Sequence, residues 1–366
     1  MTPRDIVYCR LANQQIARPK YRTPHEMVAS LGAMQAQDYL GALWAIGLRL
    51  PNASEADVEQ AIANRTIVRS WSLRGTLHFV AAADIRWMLE LLAPRVIASG
   101  RRRQQELELN DKIIARIRTL FVRALQDGKQ LTRDQMYALL ESARISSAGQ
   151  RGYHILWRLA HEGIICCGAR KGKQPTFTLV DEWAPNAKSL QRDEALAELT
   201  RRYFTGHGPA TLQDFVWWSG LKVSDAGAGL DMVASSLIKE MDSKSAYWMS
   251  PMTLASFGVP AEAYLLPSFD EYMLGYKDRT AALDRRYAQK IAPENNGRFM
   301  STMIYNGRVV GTWKRGLNQK AVVLTMQPFT VLKKAERQAF AAAAERYAEF
   351  IGRPVVVSGW QLAVGG

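Results

Sequence analysis

The stretch IVRSWSLRGTLHFV, which runs from Ile67 to Val80, decides the fold of this chain. Two segments rich in β-branched and aromatic residues, 67–72 and 76–80, flank the tripeptide Leu73-Arg74-Gly75. A short connection that contains glycine between two such segments is typical of a β-hairpin. The sequence therefore predicts two strands that turn back on each other across this tripeptide.

Three helices are predicted ahead of this hairpin. Thr23 is followed by proline and, three residues on, by glutamate, which is a helix-start signature, and the apolar stripe that follows runs to Met34. A second helix is predicted over residues 40–46 and a third after Ser54. Three helices followed by a hairpin is the pattern of a winged helix, a common DNA-binding unit.

The same order recurs along the chain. Residues 110–180 contain further helical segments and a second hairpin, whose tip ARKGKQ (169–174) is basic, and residues 193–250 suggest a third round in which 228–241 is helical. Residues 101–110 are predicted to be a polar linker. From about Ala261 short strand-like runs dominate, and a helix is predicted over 334–351.

These patterns predict an α+β fold of tandem winged-helix modules with a β-rich C-terminal part. The predicted domains are 1–103 (the first winged helix, with the candidate catalytic motif), 104–188 (the second), 189–258 (the third) and 259–366 (the β-rich part).

The charge of the chain indicates a polyanionic partner. Lys and Arg number 48 against 34 Asp and Glu, so the formal net charge is +14. Such an excess favours binding to nucleic acid, because cationic side chains release the counterions of phosphates, although a generally basic proteome would also explain it. No apolar run of 18 residues and no signal peptide is recognised, so we expect a soluble cytoplasmic protein that does not act at a membrane.

No metal site or cofactor is predicted. The three cysteines, Cys9, Cys166 and Cys167, are too few for a disulfide framework and lack zinc-ligand spacing. No phosphate-binding P-loop and no GxGxxG motif is present. The apolar run around Cys166 and Cys167 predicts a core strand, so we expect these thiols to be packing residues in a reducing compartment.

The most unusual local string is MQAQD, from Met34 to Asp38. Residues two apart on a helix point to nearly opposite sides, so Gln35 and Gln37 can share a site only if the helix breaks between them. Asp38 is a good N-cap for the next helix. We therefore expect a break near Ala36 with both amides facing one cleft; the alternative is two solvated polar residues at a helix junction.

Four motifs resemble the AlkZ/YcaQ-type DNA glycosylases, a winged-helix family. They begin at Gly32, Trp71, Leu265 and Gly307 and read GAMQAQD, WSLRGTLHF, LLPSFDEYMLGYKDR and GRVVGTW. The resemblance implies winged helices and a β-rich part bent into a concave DNA-binding surface. It implies cleavage of the N-glycosidic bond of N7-alkylated purines, including interstrand crosslinks. It also implies that Gln35 and Gln37 are catalytic, with Ala36 in place of the family's aliphatic middle residue.

Neutral amides suit this chemistry. An N7-alkylated purine is cationic and already a good leaving group, so the enzyme needs a positioned water and stabilisation of an oxocarbenium-like sugar more than a strong acid. Asp38 is the alternative, because a carboxylate can deprotonate water, but its capping role argues against it.

Basic residues on the predicted hairpins and strands are the candidate DNA contacts. They are Arg69, Arg74, His78, Arg170, Lys171, Lys173, Lys314 and Arg315. Such residues suit phosphate contact, although each also fits a solvated basic loop. The partner predicted on this basis is double-stranded DNA carrying alkylated purines.

The rival hypothesis is a winged-helix DNA-binding protein without chemistry, such as a transcriptional regulator. Regulators usually dimerise to read paired half-sites, and the sequence shows no heptad repeat. We therefore predict a monomeric, monofunctional DNA glycosylase.

Overall fold

A computed structural model of the chain describes residues 1–242, 245–252, 262–293, 299–317 and 321–360. The helices are α1 (Pro3–Asn13), α2 (Pro24–Leu31), α3 (Tyr39–Gly47), α4 (Glu55–Ala63), α5 (Ile85–Glu106), α6 (Asp111–Leu125), α7 (Arg133–Ser142), α8 (Arg151–His161), α9 (Val180–Trp183), α10 (Arg192–His207), α11 (Leu212–Ser219), α12 (Val223–Val233), α13 (Glu271–Leu274), α14 (Ala288–Ile291) and α15 (Lys334–Ile351). The strands are β1 (Ala33–Gln35), β2 (Ile67–Leu73), β3 (Thr76–Ala81), β4 (Leu131–Thr132), β5 (Ile165–Cys167), β6 (Thr176–Leu179), β7 (Ile238–Met241), β8 (Ala246–Met249), β9 (Ala263–Leu266), β10 (Thr302–Tyr305), β11 (Arg308–Leu317), β12 (Val322–Pro328) and β13 (Val355–Trp360).

Both predicted N-terminal hairpins belong to a six-stranded sheet of order β1-β3-β2-β5-β6-β4. The first hairpin is β2–β3 and the second hairpin is β5–β6. They meet where Arg69 of β2 pairs with Cys167 of β5. The first two predicted modules are therefore joined through backbone pairing, and the buried Cys166 and Cys167 lie in a strand as expected.

Local signals fixed the helix starts. Thr23, Ser54, Thr132 and Thr211 each form a capping box with the side chain three residues on. The first helix ends earlier than predicted, however. Gly32 has a φ of +82°, which stops α2 at Leu31, and Met34 pairs with Phe79 in β1 instead of continuing the helical stripe.

Two further expectations were wrong. Residues 228–241 are not one helix, because α12 ends at Val233 and residues 238–241 form β7, which pairs antiparallel with β8. Residues 101–110 are not a linker throughout, because α5 runs for 22 residues to Glu106. The arginine run at 101–103 therefore lies on the surface of a long helix.

The C-terminal part is built on a five-stranded sheet of order β13-β12-β11-β10-β9, against which α15 packs. The α+β class is thus confirmed. The predicted domain boundaries remain a prediction, and the boundary at 258/259 lies outside the described residues. Apolar side chains from different predicted domains pack together: one buried cluster contains Leu31 and Leu43 as well as Leu324 and Phe350. Within the described residues, no helix is both long and apolar enough to cross a membrane.

Candidate functional site

The MQAQD segment lies along the outer edge of the first hairpin. Gln35 pairs with His78 across the β1–β3 ladder, and the Ala36 N–H donates to the Leu77 carbonyl at 2.7 Å. Residues two apart in an extended segment point to the same side. The predicted break near Ala36 is therefore present, in the form of a short strand between α2 and α3.

Both glutamine amides contact this hairpin. Gln35 is 8% exposed, and its Oε1 accepts a hydrogen bond from Arg74 Nη2 at 3.2 Å. Gln37 is exposed, and its Oε1 accepts from the Leu77 N–H at 3.3 Å. Because an arginine and a backbone N–H can only donate, these contacts fix the carbonyl oxygen of each amide against the hairpin.

The main chain of the segment is held by two charged side chains. Arg69 donates twice to the Ala36 carbonyl, from Nε at 3.1 Å and from Nη2 at 2.8 Å. Glu271 Oε1 accepts from the Gln35 N–H at 3.0 Å. The peptide group before Gln35 and the peptide group before Gln37 are thus held by side chains of α13 and β2.

Asp38 closes the segment and acts as predicted. It caps α3, with its Oδ1 accepting from the Gly41 N–H at 3.3 Å. Its Oδ2 accepts from the Ser268 hydroxyl at 2.9 Å, and Arg315 lies 3.5 Å from Oδ1. Both oxygens are occupied by structural partners, which argues against Asp38 as the base that activates water.

A buried polar cluster of Glu271, His207, Trp218 and His78 lies behind Gln35. Glu271 Oε2 accepts from Trp218 Nε1 at 2.8 Å and from His207 Nε2 at 3.4 Å. Burial alone raises the pKa of a carboxyl, but the hydrogen bond from His207, the nearby imidazoles and the Gln35 N–H hold the pKa of Glu271 at about 2. Glu271 is therefore a buried carboxylate at neutral pH.

His78 faces this interior and not the surface. Its side chain is fully buried, and its Nδ1 contacts the Thr76 carbonyl at 2.9 Å. Burial, together with the charge of Arg74, lowers the pKa of His78 to about 3. A side chain in this position is neutral and out of reach of DNA, so the structure gives no support to its predicted DNA contact.

The other predicted DNA contacts fall into two groups. Arg69, Arg74 and Arg315 contact Ala36, Gln35 and Asp38 of the motif. Arg170 lies beside the motif, with its guanidinium 4.5 Å from the ring centroid of Tyr39. Lys171, Lys173 and Lys314 are exposed. The predicted role in DNA contact is consistent with the exposed lysines and stays a prediction for all of these residues.

Sequence reasoning missed Glu271. Asp270 and Glu271 are the N-cap and the first residue of α13. Asp270 binds Arg49 through two bonds of 2.8 Å, whereas Glu271 reaches Gln35. A signal was present: the acidic pair leads directly into the apolar run Tyr272-Met273-Leu274, and a carboxylate buried together with such a run needs partners.

The chain matches known proteins over most of its length. A family model described as DNA glycosylase AlkZ-like matches residues 28–350. An interstrand DNA cross-link repair glycosylase of Streptomyces sahachiroi is 25% identical, over 92% of this chain and 94% of that protein.

The fold is shared with a solved structure. The Streptomyces sahachiroi DNA glycosylase AlkZ matches with a TM-score of 0.78 and 22% identity, over 98% of this chain and 100% of that chain. The family model spans most of the chain and includes both glutamines of the motif. This chain therefore belongs to the AlkZ-like family of DNA glycosylases, which are hydrolases that act on DNA.

Proposed function

We propose that this enzyme hydrolyses the N-glycosidic bond of cationic N7-alkylated purines in double-stranded DNA, with Gln35 and Gln37 as the catalytic pair. The observation that carries the proposal is the fixed orientation of the two amides on the first hairpin, with their oxygens held by Arg74 and Leu77. We further propose that it works as a cytoplasmic monomer in DNA repair or self-resistance, through tandem winged-helix modules that form a concave surface.

The two amides suit water placement. Each carbonyl oxygen has a second lone pair free after its bond to the hairpin, and each NH2 group can donate. A water molecule held between them would donate to one oxygen and accept from an NH2 group. Because the alkylated base leaves without a proton from the enzyme, holding this water against the sugar supplies much of the rate.

The exposed lysines support a role in holding the duplex. Lys171 and Lys173 extend from the tip of the second hairpin, and Lys314 lies on β11 one residue before Arg315, which contacts Asp38. Contacts from such residues to phosphates would position the DNA without reading its sequence. They would bring the lesion towards the motif from two sides.

Interstrand crosslinks are a reasonable extension of this substrate class. The relative from Streptomyces sahachiroi is named for crosslink repair, and an N7-linked crosslink has the same cationic leaving group. The alternative of a regulator without chemistry is not favoured, because the family model matches a glycosylase over most of the chain.

The test is base release from a defined lesion. We expect the purified protein to release N7-methylguanine from duplex DNA, and to unhook a nitrogen-mustard crosslink, leaving heat-labile abasic sites. Gln35→Ala and Gln37→Ala should each lower the single-turnover rate by roughly a hundredfold, since each removes a group that holds the water.

The matched control is Gln60→Ala, an exposed glutamine on α4 whose side chain bonds Asn64. It should release base at the rate of the unaltered protein. Equal rates in all three variants would remove Gln35 and Gln37 as the catalytic pair, and duplex binding without base release would remove the proposed N7-alkylpurine substrate.

A further inference from the structure

The polar cluster behind Gln35 is anchored to a rigid base. Glu271 follows Asp270, whose carboxylate forms two bonds with the buried guanidinium of Arg49 and also accepts from the Tyr272 N–H at 2.9 Å. Arg49 donates in addition to the Gln14 and Ala45 carbonyls. The main chain that carries Glu271 is therefore fixed from several directions.

The Glu271 carboxylate uses both oxygens on donors from three separate elements. These donors are the Gln35 N–H of β1 at 3.0 Å, the Trp218 indole of α11 at 2.8 Å and His207 of α10 at 3.4 Å. Glu271 is 1% exposed. A buried charge persists only where its partners offset the loss of water, so any change that removes the charge or one acceptor should disturb all three donors.

Arg74 connects the same residues from the other side. Its guanidinium donates to the Trp218 carbonyl and, at 3.2 Å, to Gln35 Oε1. Burial lowers the pKa of Arg74, and the charge of Glu271 opposes this shift. Glu271 fixes the main chain of Gln35, and Arg74 fixes its amide oxygen.

We propose that Glu271 is a positioning residue for base excision: with Arg74 it holds Gln35 in the one orientation that can place the attacking water. This inference rests on the proposed function. Glu271 does not touch the substrate, because it lies behind Gln35 and is buried. It acts through Gln35, and its contribution is lost when Gln35 has no amide to hold.

The decisive experiment is a double-mutant cycle between Glu271→Gln and Gln35→Ala. Glutamine keeps the shape of Glu271 but has one acceptor oxygen where the carboxylate uses two, so at least one N–H loses its partner. At saturating enzyme, we expect Glu271→Gln to slow release of N7-methylguanine by at least thirtyfold, with duplex affinity within twofold of the unaltered protein. In the Gln35→Ala background the same change should have no further effect on the rate.

A matched control is Glu198→Gln. Glu198 is a half-buried carboxylate on α10 that pairs with Arg202 and with Arg201, each at 2.7 Å. It should lower the melting temperature slightly and leave the excision rate unchanged. A multiplicative loss of rate when Glu271→Gln is added to Gln35→Ala would overturn the proposal, as would an unchanged rate in the folded Glu271→Gln protein.

If Glu271→Gln does not fold, Arg74→Met tests the same arrangement from the surface side, since it removes the donor to Gln35 Oε1. We expect it too to slow excision by tenfold or more and to be without effect in the Gln35→Ala background. Additive losses would contradict the inference. Absence of base release by the unaltered protein would instead remove the proposed function itself.

Discussion

The two hairpins of the six-stranded sheet carry similar basic residues and use them differently. On the first hairpin, Arg69 donates to the Ala36 carbonyl, and Arg74 donates to Gln35 and to the Trp218 carbonyl. On the second hairpin, Lys171 and Lys173 are exposed at the tip. The first hairpin therefore organises the site, and the second presents charge to solvent.

The surroundings of the two turns explain the difference. A Cβ added at Gly75, in the first turn, would lie 3.3 Å from Val96 and 3.4 Å from Trp157 Nε1, whereas a Cβ at Gly172, in the second turn, would have no neighbour within 4 Å. An arginine on a covered hairpin must satisfy its donors with protein oxygens. A lysine on an uncovered tip keeps its charge for water or phosphate.

The largest expected effect on the excision rate comes from removing the hydrogen bonds between the first hairpin and the motif. Arg69→Ala removes two donors from the Ala36 carbonyl between the two glutamines. Loss of charged hydrogen bonds of this kind costs about 3 kcal/mol, so the single-turnover excision rate should fall roughly a hundredfold at saturating enzyme.

Arg170→Ala is the comparison from the second hairpin. Arg170 lies over the same Tyr39 ring as Arg69, at 4.5 Å against 5.2 Å, but it donates to the Lys173 carbonyl and not to the motif. It should change duplex affinity more than rate. Identical kinetic profiles for the two arginine variants would remove the distinction between the hairpins.

The next effect concerns the free energy of unfolding at acid pH and depends on His78, which lies in the first hairpin. Burial and the charge of Arg74 lower the pKa of His78 to about 3, from 6.5 in the unfolded chain. Below pH 6.5 His78 binds a proton in the unfolded state but stays neutral in the folded state. The free energy of unfolding therefore falls as the pH falls towards 3. Between pH 6.5 and 5 this one group should raise the unfolding equilibrium constant roughly sixteenfold, because about half of the unfolded chains already carry the proton at pH 6.5.

Urea unfolding at pH 6.5 and pH 5 measures this cost. His78→Gln should remove it, so that its unfolding free energy changes less between the two pH values than that of the unaltered protein. His161, which burial likewise gives a lowered pKa of about 4, accounts for part of the remaining slope. Lys171→Ala, from the exposed tip, should follow the unaltered protein. An equally steep curve for His78→Gln would mean that His78 takes up a proton in the folded state.

Local elements could be predicted from the sequence because their signals are local. The caps at Thr23, Asp38 and Ser54 and the hairpin around Gly75 depend on residues a few positions apart. The break in the MQAQD segment followed from the same reasoning, since two amides on one side exclude a continuous helix. The strand at 33–35 could not be predicted in this way, because β1 is defined only by its pairing with β3.

The partners of the charged residues could not be predicted, because they lie far apart in the sequence. Glu271 and Gln35 are separated by 236 positions, and Arg49 and Asp270 by 221. An arginine that is covered by another element bonds protein carbonyls, whereas an uncovered one can bond a phosphate. The amino-acid composition does not show which element covers it. The predicted DNA contact of His78 lacks support for this reason: its side chain is buried near Arg74 and Glu271, and Glu271 comes from a distant part of the sequence.

The smallest expected effect is on duplex affinity and concerns the exposed lysines of the second hairpin. If Lys171 and Lys173 contact phosphates, replacing either with alanine should weaken duplex binding about fivefold and lower the slope of log affinity against log salt by about 0.9 per contact. The excision rate at saturating enzyme should not change, since neither lysine touches the segment that holds the glutamines. A rate loss as large as that of Arg69→Ala would show that the second hairpin also shapes the site. An unchanged salt slope would mean that its charge faces water in the complex as it does in the free protein.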